Sequence, residues 1–460
     1  MAVTSASMNR PSWGTYYAFL MAAIGSSIGL GNVWKFPYEL GIHGGTFLYV
    51  YLLCVLVLAF PLMVSELMLG RLGRANPVKG IANIAKQERL SSTWQLIGWL
   101  GVLGSFLIFS YYSAVASWVL FYAMKSLSAA FTAVPAEIVQ HQFGALLRNT
   151  DQMILWHTVF ILLVVLVLAQ EVRSGLEKAV RWLMPAFALL LFIVALYSRK
   201  LGDYDAALEF MFHFDWRDIN GELLLSAFTQ SLFSLSIGIG VLMMYGSYLE
   251  GRQSIILGAA VVMAFDTGAA LLIGAIIFSI VFAYGLAPDS GFGLIFQTLP
   301  VAFSQMTENS VLVSSLFFFL VLFAALSSGF ALLEPSISLM TSRFNIKRRT
   351  AAWFIGALAW MMGGVSIYSF SEYQFGFYYF GSEREYGFFD LFNIISVHLI
   401  LPFTALLIGL IAAWRISQSS AREALNQPHK LVFSIWRFCN RILVPTAILI
   451  VVYAVIFLPH

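Results

Sequence analysis

The sequence predicts an all-α polytopic membrane protein. It is expected to hold two five-helix sets of opposite orientation, each opening with an interrupted helix, and one extra helix. Composition is the first sign. Of 460 residues, 60% are hydrophobic and only 11% charged, with a mean hydropathy of +0.83, far too little polar surface for a soluble domain of this length. Segmentation is the second. A span needs roughly 20 mainly apolar residues, and eleven such segments lie near 14–38, 44–70, 93–124, 152–170, 176–198, 222–249, 253–286, 310–341, 350–369, 387–415 and 432–457. The third is a pair of glycine-rich interruptions inside the first and sixth segments, Gly25-Ser26-Ser27-Ile28-Gly29-Leu30-Gly31-Asn32 and Ser234-Leu235-Ser236-Ile237-Gly238-Ile239-Gly240.

Each interruption has two readings. Glycines at mid-span serve as close helix crossings in membrane bundles. They also break helices, and a broken backbone at that depth is tolerated only where it lines a protected cavity. Finding such breaks in corresponding halves favours the second reading, since paired half-helices build the midplane sites of secondary transporters. Five spans per set is an odd number, so the sets run in opposite directions; the repeat is topological and is not visible in residue identity. One transporter domain over 1–460 is expected, with helices 1–5 over about 14–198, helices 6–10 over about 222–415 and helix 11 over about 432–457.

Loop charge orients the bundle. With the N-terminus in the cytoplasm, 19 of the 26 basic residues fall inside, against Lys35, Lys125, Arg148, Arg199, Lys200, Arg217 and Arg384 outside. The C-terminus then lies outside a plasma (inner) membrane. The net charge of +3 is scattered through loops, so no nucleic-acid partner is expected. Cys54 and Cys439 are isolated, which implies no disulfide framework. Met1 to Ser12 is short and polar, so no cleavable signal is expected. No nucleophile–base constellation or metal cluster is visible, which argues against an enzyme.

Several stretches resemble the neurotransmitter:sodium symporter family, in its bacterial eleven-helix amino-acid-transporter form. They are Gly29-Leu30-Gly31-Asn32-Val33-Trp34-Lys35-Phe36-Pro37, Pro61-Leu62-Met63 through Glu66 to Gly70-Arg71, Gly293 to Pro300 with Ala302 to Met306, and Leu326-Ser327-Ser328. The resemblance runs from Trp13 to the tenth span. It implies sodium-driven import of a small amino acid by alternating access.

The resemblance also implies site residues. One sodium would take carbonyls of Gly25, Ile28 and Ala324 and hydroxyls of Ser327 and Ser328. The alternative is that these serines bond back to their own helix. A second sodium would use the Ser27 carbonyl, Asn32, Ser234 and position 266. The family usually has asparagine there; this chain has Asp266. A charge at that depth costs at least ~2.5 kcal/mol unless paired. Relatives that need chloride hold it near the positions of Tyr51, Gln230 and Ser234, with a serine where this chain has Ala270. Asp266 thus either replaces that anion, so that no chloride is expected, or carries a proton.

For the substrate, the amides of Leu30 and Gly31 open a half-helix whose N-terminus favours a carboxylate, with Tyr112 donating to the same group. Carbonyls of Ser27, Phe233, Ser234 and Ser236 would take the amine. Monoamine carriers of the family have an aspartate where this chain has Gly29, so the substrate should bring its own carboxylate. Ile108, Phe233, Ile239, Ser328 and Leu332, with Gly329 leaving room, form a pocket suited to a neutral, apolar amino acid. Glu66 would bond the exposed amides of the breaks. The outer gate holds Lys35 and Asn393 in place of the family's arginine–aspartate pair, under Tyr111 and Phe233. The inner gate keeps Arg10, Trp13 and Tyr248 but has Ser342 in place of its aspartate. Substitutes such as Asp390 are candidates, and Glu334 fits either a second prop or a wetted vestibule. Gly175 and Pro185 match a motif that unwinds the fifth span. His157 and His398 read as packing residues. A channel or a substrate-sensing receptor on the same fold is the rival reading, and the oligomeric state, monomer or dimer, is not legible.

Overall fold

The computed structural model describes residues 12–132, 134–249, 253–288, 293–306, 309–371, 374–379, 382–426 and 429–457. Arg10 therefore lies outside the described residues. Among these, nine helices are long and apolar enough to cross a membrane. The other two of the eleven expected spans are the interrupted ones, whose halves are each too short to count. The first span is Tyr16–Ser27, a break, then helix from Gly31 onward. The sixth is Gly221–Ser234, a break, then Val241–Ser247.

The helix from Gly31 continues without a loop into the second span, as one stretch Gly31–Gly73. Gly44 breaks it, with φ +66° and ψ −171° inside the helical run. The chain turns back there rather than through a polar loop. Ser92–Leu127 and Ser310–Phe344, the third and eighth spans, pack along each other at the centre. Thr150–Leu168 and Arg348–Tyr368 flank that pair. Ile255–Ala283 packs on the inner half of the first span, and Lys430–Val451 lies against Gly221–Ser234.

The outer loops carry structure that hydropathy alone did not reveal. Ala136–Arg148 and Tyr204–Phe212 are short helices. A small antiparallel hairpin, Phe377–Tyr379 with Ser382–Arg384, precedes the tenth span. The class remains all-α, with this hairpin confined to a loop between spans.

The inner half of the sixth span touches the second span through glycine. A Cβ added at Gly70 would sit 2.1 Å from the Met243 carbonyl oxygen, and one at Gly246 would sit 2.4 Å from that of Leu67. Neither backbone can retreat without moving a whole helix. Gly268, by contrast, faces open space. Gly70→Ala should destabilise the protein by roughly 1–3 kcal/mol, the usual range for overpacking. Gly268→Ala should be neutral or slightly stabilising, by up to about 1 kcal/mol. Thermal unfolding of the two variants in one detergent checks this.

Candidate functional site

The two breaks face each other at the centre of the bundle. The first helix half ends at Ser27, and Ile28 turns to extended backbone (φ −73°, ψ 99°). Its amide still donates to Ile24 O at 2.8 Å. The Gly29 amide is taken by the Asn32 side-chain oxygen at 3.3 Å, so the break is capped from within. Helix then resumes with a wide turn, the Phe36 amide reaching back to Gly31 O. Gln230 Nε2 donates to that same carbonyl at 3.0 Å.

The sixth-span break uses left-handed backbone three times, at Ser236, Gly238 and Gly240 (φ +55°, +78° and +74°). Glycine adopts this conformation freely and serine does not. Ser236 is held there by its hydroxyl, which donates to Ser26 O at 2.9 Å and so ties one break to the other. Fully buried Glu66 takes the amides of Gly238 at 2.9 Å and Gly240 at 3.1 Å, one on each carboxylate oxygen.

Beside the breaks lies a buried polar cluster. Asp266 is fully buried. Its oxygens accept from Asn32 Nδ2 at 2.8 Å and Ser234 Oγ at 2.7 Å. Asn32 Nδ2 also reaches the Asp266 carbonyl at 3.1 Å. Tyr51 donates to Ser234 at 3.4 Å. Among the described residues Asp266 has no ion pair. Close by, the Ser27 hydroxyl is buried without a hydrogen-bond partner. Asn32, Ser234 and Asp266, expected around one ion, thus meet around one point, rich in hard oxygen donors.

The second expected set is split. Ser328 reaches across to the first helix, donating at 3.3 Å to both Gly25 O and Ser26 O. Ser327 bonds back to Ala324 O at 3.0 Å, the alternative that membrane serines usually follow. Ile28 and Ala324 are buried alongside.

Around the expected substrate position, a Cβ at Gly29 would lie 2.3 Å from Ser328 Oγ and 3.6 Å from the Tyr112 hydroxyl. Tyr112 meanwhile donates to Ala325 O at 3.1 Å. A Cβ at Gly31 would touch the Phe233 ring at 3.1 Å. Leu30, Ile108, Ile239 and Leu332 are buried. Gly329 departs from expectation. Its Cβ direction meets Phe160, Val164 and Phe109 within 3.5 Å, so it lets helices approach and does not widen a pocket.

The residues expected at the two gates make contacts that the family pattern did not supply. The Lys35 ammonium lies over the Phe233 ring, 5.0 Å from its centre, and Tyr111 meets Phe389 edge-on at 5.5 Å. Asp390 is a helix cap, taking the Tyr386 amide at 2.9 Å, and not the missing ion-pair partner. At the other end of the bundle, Trp13 packs edge-on against Tyr245 and Tyr248 and donates Nε1 to Tyr245 O at 3.1 Å. Ser342 bonds Asn76 at 2.6 Å. Beside Tyr248 lies a fully buried carboxylate, Glu334. It takes two bonds from Arg348, at 2.8 and 2.6 Å, and one from Tyr248 at 2.7 Å. Arg348 also ties down Gln170 O. Glu334 is therefore neither a prop for the breaks nor a wetted residue. The sequence did carry a signal, a bare glutamate before Pro335 deep in an apolar span, but its partner 14 residues later looked like any loop base. His157 contacts Ser113 at 3.0 Å, as a packing residue would.

The profile of the sodium:neurotransmitter symporter family matches residues 10–143 and 139–459. The chain belongs to that family. A sodium-dependent transporter of Bacillus subtilis, YhdH, is 33% identical over 95% of this chain and 96% of its own length. A sodium-dependent transporter of Methanocaldococcus jannaschii is 28% identical over 98% of this chain and 90% of its own. The crystal structure of MhsT in complex with L-phenylalanine superposes with a TM-score of 0.89 at 32% identity, covering 97% of this chain and all of that one. This symporter is thus a multi-pass, sodium-dependent membrane transporter and not an enzyme.

The Glu66 geometry yields a stability prediction for this family member. Glu66→Gln replaces one acceptor oxygen with a donor facing a backbone N–H. An orphaned buried donor costs about 1–3 kcal/mol, so unfolding in detergent should shift down accordingly, whether or not sodium is present.

Proposed function

We propose that the chain imports a neutral, apolar amino acid together with two sodium ions by alternating access, as a single transporter domain over 1–460. The observation that carries the substrate class is Gly29. The space beside its Cα holds the Ser328 and Tyr112 hydroxyls, with no side-chain carboxylate for an amine. A ligand lodged there must supply its own carboxylate, to the half-helix that begins at Leu30 and Gly31. Buried Ile108, Ile239 and Leu332 would leave a charged side chain unpaired. That MhsT was crystallised with L-phenylalanine supports the same class.

Asn32, Ser234, Asp266 and the Ser27 carbonyl would hold one sodium. Gly25, Ile28, Ala324, Ser327 and Ser328 would hold the other, once the Ser327 hydroxyl turns from its own helix. Trp13, Tyr245, Tyr248, Glu334 and Arg348 would close the inner side, and Lys35, Phe233 and Tyr111 the outer. The basic loops set the N-terminus in the cytoplasm and the C-terminus outside. Uptake into proteoliposomes across an amino-acid panel, in sodium and in choline, tests the reading. Equal uptake in both salts, or a preference for charged or amine-only substrates, would sink it.

Ser328→Ala should weaken sodium binding by about tenfold or more, the worth of one oxygen bonded to a charge. Substrate affinity should fall with it, because the two are reciprocally linked. Substrate titrations at fixed sodium concentrations read both.

Asp266 puts a fixed anion beside the sodium position, where a bound chloride would otherwise serve. Uptake should therefore survive replacement of chloride by gluconate. Asp266→Asn should be weak in sodium alone, and Asp266→Asn with Ala270→Ser should recover partly, only with chloride present. Wild-type uptake that drops in gluconate would refute the assignment.

A further inference from the structure

Where the last two spans end on the side of the basic loops, four arginines gather without an acidic partner. Arg437 Nε and Arg441 Nε both donate to the carbonyl of Ala413, at 3.1 and 2.9 Å. Arg437 also lies 5.9 Å from the Phe433 ring, whose centre Arg422 covers at 4.7 Å. Arg441 covers Trp414 at 4.9 Å. Arg71, from the end of the second span, reaches the same corner and donates Nη1 to Ala424 O at 2.9 Å.

Two guanidiniums on one carbonyl repel each other. None of the ion pairs among the described residues involves any of the four. Glu88 is held by the amide and hydroxyl of Ser417, and Glu423 is exposed to solvent. Moreover, Arg71 Nε and Nη2 and Arg422 Nε are shut off from solvent with no acceptor. Buried donors on a charged group are costly to leave unmade. An anion that offers several acceptor oxygens would meet such donors, the match for which arginine forks are suited.

The surroundings say what else that anion carries. Trp414 is 56% exposed beside Arg441. The helix Lys430–Phe438 leaves Leu431, Ile435 and Phe438 uncovered, next to Arg437. These apolar side chains lie at the end of a membrane span, where acyl chains meet headgroups.

We propose that this corner binds an anionic phospholipid of the leaflet on the basic side. Arg71, Arg422, Arg437 and Arg441 hold its phosphate, and its chains lie along Trp414, Ile435 and Phe438. The site is remote from the breaks and does not rest on the substrate assignment; only the name of the leaflet, cytoplasmic, follows from the proposed orientation.

The probe is phosphatidylglycerol, with phosphatidylcholine as its zwitterionic counterpart. Retained lipid is counted by native mass spectrometry of the full chain, and thermal stability is read in mixed micelles of each lipid. Wild type should retain phosphatidylglycerol selectively and be stabilised by it. Arg422→Gln with Arg437→Gln and Arg441→Gln should lose roughly fivefold in phosphatidylglycerol affinity per arginine removed, with phosphatidylcholine unchanged. Lys178→Gln, on the same side but elsewhere, should match wild type. Three results overturn the proposal: equal retention of both lipids, unchanged affinity in the triple variant, and an equal loss in Lys178→Gln. If the triple variant does not fold, the wild-type stability series decides. No rise specific to phosphatidylglycerol, or the same rise with inorganic phosphate alone, would refute a lipid site.

Discussion

A helix broken inside a membrane must find partners for its backbone within the protein, and the rest of the structure follows from meeting that demand. Glu66 is the main device. Its two carboxylate oxygens take the Gly238 and Gly240 amides. To bring it there, the second span must lie against the sixth at glycine distance, which Gly70 and Gly246 permit. The first break is satisfied differently, by Asn32 folding back on Gly29 and by Gln230 reaching Gly31. Ser236 then links the two breaks. Each cap removes one backbone group from the inventory of unpaired ones.

That division of labour explains why charge is buried where it is. Glu66, Asp266 and Glu334 are all fully enclosed, yet each is compensated differently. Glu66 answers backbone amides, Asp266 answers the Asn32 amide and the Ser234 hydroxyl, and Glu334 answers Arg348. Only Glu334 has a countercharge among the described residues. Glu334 with Arg348 is a buried pair that also holds the Tyr248 hydroxyl, and parting it would separate two charges in a poorly hydrated place. Asp266 is held by neutral donors alone.

The two gates show how family pattern and local chemistry diverge. The outer side lacks a bidentate ion pair and sets an ammonium over an aromatic ring instead. Such a contact is worth less and is less directional than an arginine fork. The inner side lost its expected aspartate at Ser342 but gained a buried pair elsewhere on the same helix. The basic corner at the ends of the last two spans is a further case of charge without a countercharge among the described residues.

Sequence by itself determined the class, the eleven apolar segments, the two breaks and their inverted relation. These follow from composition, span length and the dislike of glycine for helix interiors, all of which are local. Glu66 and Asp266 stand out as charges at mid-span, and the resemblance to the symporter family pointed to them together with Asn32 and Ser234. Tertiary structure decided pairings. That Arg348 and not another loop base meets Glu334, that Asp390 caps its own helix, that Ser327 bonds back while Ser328 crosses, and that Gly329 faces Phe160 all depend on distances between helices far apart in the chain. A hydrophobic period shows that a face is buried but not what it is buried against. That partner is set by the packing of the whole bundle, which no local pattern encodes.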